Sequence, residues 1–186
     1  MRTSSTRTRA TQLTATEGAV LALLEIEGER SGYDLLKHVS SAIAHVWSPA
    51  KTQLYAVLSR LERDGLARGR SVAQASRPDK RLFRLTAEGR RALHGWLDEV
   101  VPGDAQLFFL KAFVGGLIDR DKLIEHYEQF ARDQRARLEE LRAIEPTNTR
   151  RGHDYHHYFL LRLGIARAEQ SVRWAEDAVR ELRGAK

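Results

Sequence analysis

The chain has no cysteine among its 186 residues. Disulfides and thiolate metal sites are therefore excluded, and the absence fits a reducing compartment. Long apolar runs are missing too: no stretch approaches the roughly 20 residues needed to span a bilayer. The opening "MRTSSTRTRATQ" lacks the apolar centre of a secretory signal. Residues 1–12 are expected to be a disordered basic tail, and the protein to be cytoplasmic. There is no Gly-rich phosphate loop, and no Ser or carboxylate stands around a His at a recognisable catalytic spacing. The sequence therefore proposes no reaction, no catalytic residue and no cofactor.

What is present is charge, unevenly spread. The formal net charge is +6; residues 1–100 hold 16 Lys and Arg against 11 Asp and Glu, whereas residues 101–186 hold 15 against 14. Positive charge gathered in one half suggests a polyanion partner for that half, or a solubilising surface. The length allows one large domain or two small ones.

"TATEGAVLALLEI" opens with Thr14 and Glu17 at capping-box spacing, followed by an apolar face of Val20, Leu23 and Leu24. "EGERSG" breaks the pattern with Gly28 and Gly32. Ser31, three residues before Asp34, starts a second helix, "GYDLLKHVSSAIAHVW", with Leu35, Leu36, Val39, Ile43 and Val46 inward. Ser48-Pro49 then predicts a stop, a turn and a restart, with Ser48 as N-cap and Pro49 in the first turn. The third helix runs to about Asp64, with Gly65 as its left-handed stop. Its buried face is Leu54, Val57, Leu58 and Leu61. Lys51, Thr52, Gln53, Tyr55, Ser59, Arg60 and Arg63 lie on the other faces, and none of these is acidic. Three short helices with the last one polar and basic outside are the layout of a helix-turn-helix.

Two short segments follow, predicted as strands near 66–72 and 80–85, separated by "AQASRPD". Six basic residues and the single acid Asp79 lie between Leu66 and Leu85. A basic hairpin directly after such a helix reads as a wing. Thr86 is expected to cap a further helix, with Leu93, Trp96, Leu97 and Val100 apolar. "VPGD" marks a boundary, so the expected domains are residues 13–100 and 104–186, the second all-helical.

In the second domain, Leu123, Tyr127, Phe130, Leu138, Leu141 and Ile144 mark a long amphipathic helix capped by Asp119. The last helix begins near Asp154. Its Tyr158, Leu161, Ile165, Ala168, Val172, Ala175, Val179 and Leu182 are spaced alternately three and four apart, a heptad seam. A single chain can fill such a seam internally. An intermolecular seam, making a homodimer, is the expectation here, because a small domain offers little internal surface to cover it. His153, His156 and His157 read as a polar helix start, and no metal site is expected.

"SGYDLLKHV", "TQLYAVLSRLERDGLA" and "KRLFRLTAEGRRAL", in that order, resemble the PadR family of bacterial winged-helix transcriptional regulators. The apolar "LFFLKAFVGGL" and the two long helices after it look like that family's longer C-terminal dimerisation domain. The resemblance covers residues 13 to about 183. It implies a mainly α fold, with an N-terminal winged helix-turn-helix followed by an all-α dimerisation domain. It also implies a homodimer that binds a pseudo-palindromic operator, usually as a repressor, and a small aromatic effector that releases it. One departure is visible: Lys51 and Gln53 stand where relatives often carry small residues, so no relative's operator preference carries over.

On that reading Ser48, Lys51, Thr52, Gln53, Tyr55 and Ser59 of the third helix are expected to meet double-stranded DNA. Gln can pair with adenine N6 and N7, a Thr methyl can touch thymine, and Lys51 suits guanine or phosphate. Arg77, Lys80 and Arg81 are expected at the wing tip on phosphate or in the minor groove. Trp96, at the domain junction, is expected to wall an effector site. The rival reading is a winged helix used as a protein-interaction module, with little salt-dependent affinity for duplex DNA.

Overall fold

Reciprocal caps open the first two helices of the computed structural model, which describes residues 13–44, 46–74, 77–144 and 155–185. Helix α1 spans Ala15–Glu27, and α2 spans Gly32–Ala42. At α1, the Thr14 hydroxyl accepts from the Glu17 N–H and the Glu17 carboxylate accepts from the Thr14 N–H at 2.9 Å. At α2, Ser31 and Asp34 repeat the arrangement. Each box satisfies amide donors that a helix start otherwise leaves open. Helix α1 is buried continuously from Glu17 to Leu24, well beyond the stripe read from its sequence, because α3, α4 and strand β3 surround it.

Helix α2 ends at Ala42, earlier than its apolar spacing predicts. Ile43 and Trp47 still reach the core, but from a turn rather than a helix. The restart is also corrected. Helix α3 spans Lys51–Arg63, its N-cap is Ala50, and no side chain caps it. Proline holds the preceding residue extended, and here the extension runs on through Ala50, so Ser48 lies outside the helix. Pro49 is buried there. At the far end, Gly65 takes φ of 73°, the left-handed geometry expected of it.

The sheet has three antiparallel strands in the order β1-β3-β2. They span Arg30–Ser31, Ala67–Gln74 and Arg77–Leu85. The hairpin is longer than its sequence suggests, since most of "AQASRPD" joins the strands. Pro78 is tolerated because the β2–β3 register shifts between Val72 and Gln74, so it falls in an irregular stretch of ladder beyond the reach of β1. Strand β1 escaped the sequence reading altogether. One sheet face is closed by Ala67 and Phe83, and the other is open.

Helix α4 spans Ala87–Asp98, and the Thr86 hydroxyl accepts from the Gly89 N–H at 3.0 Å. A Cβ on Gly89 would sit 2.0 Å from the Leu66 carbonyl oxygen, so α4 rests backbone to backbone on the start of β2. Helix α5 spans Ala105–Phe113 and is followed by a short 3-10 turn at Gly115–Leu117. Helix α6 is Arg120–Ile144 and α7 is Tyr155–Gly184.

The described residues fall into two compact units. The first runs to Glu99 and takes in Phe113–Leu117; the second holds Val100–Ala112 and everything from Ile118 onward. In the second, α6 and α7 pack along one another. Phe108 stacks on Phe130 at 4.2 Å and 11°, with Ala131 and Ala175 buried beside them.

Candidate nucleic-acid interface

Leu54, Val57, Leu58 and Leu61 are buried along one side of α3, which turns the rest of the helix outward. Lys51, Thr52 and Gln53 are all exposed in its first turn, and Ser59 is exposed two turns later. Thr52, Ser59 and Arg63 lie along one outer line, with Ala56 between them. Tyr55 does two things. Its ring lies against Gly32, where a Cβ would come within 2.8 Å, while over a third of the residue stays open to solvent. Ser48 is exposed in the extended segment ahead of the helix.

Two neighbours on α2 escaped the sequence reading. Tyr33, which is 66% exposed, and Lys37 share an outer face at i, i+4 spacing. With Ser40, Ser48, Pro49 and Lys51 they line an open recess of about 380 Å³. The signal was present in "GYDLLK", as polar positions opposite Leu35 and Val39.

The wing differs from expectation. Residues 75–76, between β2 and β3, lie outside the described residues, and of Arg77 only the backbone position at the start of β3 is described. Lys80 and Arg81 stand further up the strand and are occupied. Lys80 Nζ lies 2.9 Å from Asp34 Oδ2, and Arg81 Nη2 donates to Glu62 Oε2 at 2.5 Å. The Asp34 carboxyl is held below its ordinary value by Lys80 and then by Ser31. Glu62 also accepts from the Gly69 N–H at 3.1 Å. These pairs tie the wing to α2 and α3, and both cations stand along the strand rather than at its tip.

Two further expectations are corrected. Trp96 is only 5% exposed, and its indole lies on Gly18 of α1, where a Cβ would come within 2.2 Å of the ring. A ring covered in this way offers no open face to a flat effector. The exposed tryptophan is Trp174, at 40%, with Phe108, Phe109, Tyr127 and Phe130 all within 6.0 Å between ring centroids.

The heptad seam is filled within the chain. Tyr158, Leu161, Ala168, Ala175 and Val179 are buried, and Ile165, Val172 and Leu182 half-buried. Helix α6, about 37 Å long at 1.5 Å per residue, is long enough to cover most of α7. Small residues allow close approach: a Cβ on Gly164 would meet Leu141 Cδ1 at 3.3 Å. The uncovered side of α7 carries Phe159, Leu160 and Leu163, with Ile144 exposed at the end of α6. Among the described residues no group of three or more His, Cys, Asp or Glu could hold a metal ion, and no helix is long and apolar enough to cross a membrane.

Comparison with known proteins places these features in company. Residues 20–95 match the transcriptional regulator PadR-like family, and residues 107–183 match the virulence activator alpha C-terminal domain. The negative transcriptional regulator PadR of Bacillus subtilis is 27% identical over 170 residues, covering 86% of this chain and 92% of the relative. Among solved structures, Bacillus subtilis PadR in complex with operator DNA is 25% identical, with a TM-score of 0.46 over 91% of this chain and 99% of that one. The same protein in complex with p-coumaric acid is 23% identical, with a TM-score of 0.40 over 91% and 96%.

Proposed function

From the match of residues 20–95 to the PadR-like family of transcriptional regulators, we infer that the chain is a sequence-specific DNA-binding repressor acting as a homodimer on a pseudo-palindromic operator. The observation that carries this reading is the first turn of α3. Lys51, Thr52 and Gln53 stand exposed together with no acid among them, above a fully buried leucine stripe. A helix held this way presents its N-terminal side chains to base edges in the major groove. Gln53 and Thr52 supply base contacts; Lys51, Ser48, Tyr55 and Ser59 supply guanine or phosphate contacts. Tyr33 and Lys37 on α2 would bind the backbone beside them, as the first helix of such a pair does. Arg77, at the start of β3, would add the wing's phosphate or minor-groove contact.

Because the α7 seam is filled by α6, the two copies would meet on the exposed Phe159, Leu160 and Leu163 face. A small aromatic effector fits the same scheme, and the ring cluster around Trp174 is the surface best suited to stack it. An effector that prefers one arrangement of the dimer shifts the population and with it the affinity for DNA.

The test is selection from random-sequence duplexes at near-physiological salt, followed by sequencing. Enrichment of an inverted repeat with fixed spacing is the expected result. Retention without enrichment would leave only the electrostatic component. No retention would overturn the reading in favour of a protein-interaction module.

A further inference from the structure

On the open face of the wing, Arg68 of β2 lies directly opposite Arg84 of β3. Partners in an antiparallel ladder point to the same side of the sheet, about 4.5–5.5 Å apart at Cβ, and like charges so placed repel. Arg70, two residues along the same strand, joins them on that face. The three arginines and Glu29 line one open recess of about 310 Å³.

Glu29 does not neutralise the group. Its carboxylate takes a bidentate pair of hydrogen bonds from Arg70, the Nε one at 2.8 Å. Its pKa lies below the ordinary value, first because of Arg70 and also because of the charge on Arg84. One carboxylate therefore faces three guanidinium groups. Among the described residues, Arg68 and Arg84 have no ion pair of their own, whereas Lys80, Arg81 and Arg90 each have one. A fold that spends wing cations on internal pairs elsewhere leaves two together here, on the side that costs stability.

We propose that Arg68 and Arg84 form a seat for a DNA phosphodiester, a backbone contact on the outer face of the wing distinct from its tip. This rests on the DNA-binding reading above. The occupant follows from chemistry. Two guanidinium forks offer parallel N–H donors to the oxygens of a tetrahedral anion, and phosphate is the anion they match best. On the same face Lys80 is paired with Asp34 of α2 and Arg70 with Glu29, which leaves Arg68 and Arg84 as the cations of that face open to an outside anion.

The test compares wild type with Arg68→Gln/Arg84→Gln on the selected operator across a range of salt concentrations. Each phosphate contact contributes about 0.9 to the slope of log affinity against log salt. The double variant should lose about that much per protomer and bind several-fold to tenfold more weakly near physiological salt. It should enrich the same bases, and its free form should melt at the same temperature or higher, because the repulsion is gone. Arg68→Lys/Arg84→Lys, which keeps the charge, should retain most of the slope. An unchanged slope and affinity in the Gln variant, with wild type binding normally, overturns the seat while leaving the function intact. So does a lower affinity accompanied by altered base preference. A wild-type melting temperature that rises with inorganic pyrophosphate, in a way the Gln variant abolishes, together with an unchanged DNA slope, assigns the seat to a free anion instead. Aggregation of the Gln variant with an unchanged slope would make the pair a guard on the β2 edge, and would likewise overturn the proposal.

Discussion

Arg60 Nε donates to Glu17 Oε1 at 2.5 Å, so the carboxylate that caps α1 also holds α3. Glu17 is thus shared between a helix start and the helix proposed to read DNA. Burial pushes its carboxyl up. The Thr14 N–H, the Thr14 hydroxyl and the Arg60 guanidinium outweigh that and hold it below the usual glutamate value.

A stability dependence on pH follows from that direction. A pKa lowered in the folded state contributes stability that is complete above the unfolded value and is lost as pH falls through the folded one. Glu17→Gln should cost about 1.5–3 kcal/mol at neutral pH, the range for losing a hydrogen bond to a charged group. The gap to wild type should close as pH falls below the ordinary carboxylate range. Urea melts across a pH series measure it; a gap independent of pH would mean that shape, not charge, holds α3.

The two tryptophans should behave oppositely toward a flat aromatic effector. Trp174→Phe should remove most of the fluorescence quenching caused by such a ligand. Trp96→Phe should leave the quenching in place and lower the melting temperature, because a ring fitted against Gly18 is lost. Quenching that vanishes only in Trp96→Phe would return the effector site to the α1–α4 packing.

The filled seam and the open face of α7 make separable predictions. Ala175 is fully buried beside Phe108 and Phe130, so Ala175→Leu should destabilise the helical unit by about 1–3 kcal/mol through overpacking. Leu160, at 67% exposure, can change with little effect on the folded chain. Leu160→Glu with Leu163→Glu should leave the helix content intact and yield monomers in analytical ultracentrifugation. A dimer that survives this pair but falls apart in Ala175→Leu would restore the intermolecular seam.

Base choice should be separable from backbone affinity on α3. Gln53→Ala should relax preference at one position per half-site, a loss of about 1–3 kcal/mol of discrimination. Lys37→Gln on α2 should weaken all sequences alike and reduce the salt slope. Repeating the duplex selection with both variants distinguishes the roles.

Features set by neighbours in sequence were legible before any coordinates. The Thr14–Glu17 and Ser31–Asp34 boxes and the left-handed Gly65 each depend on a few adjacent residues. Features set by distant partners were not. Strand β1 is two residues long and exists because Phe83 and Leu82 lie beside it. Trp96 is covered because Gly18, on another helix, leaves room for its ring. Lys80 and Arg81 read as available cations until Asp34 and Glu62 are seen beside them. The seam spacing on α7 showed that a helix packs there, but periodicity is the same whether the partner is α6 or another copy. The Arg68–Arg84 pairing needed the strand register, which composition does not carry.

Of the first three helices, only α3 lacks a side-chain cap at its start. Its opening amides are therefore the ones most prone to local opening, and in free protein they should exchange with solvent deuterium faster than those of α1 or α2. Ala50→Ser would supply the missing acceptor and add about 1 kcal/mol to that turn. The first turn that presents Lys51, Thr52 and Gln53 is thereby left the most loosely fastened of the three helix starts, free to adjust its angle when a partner arrives.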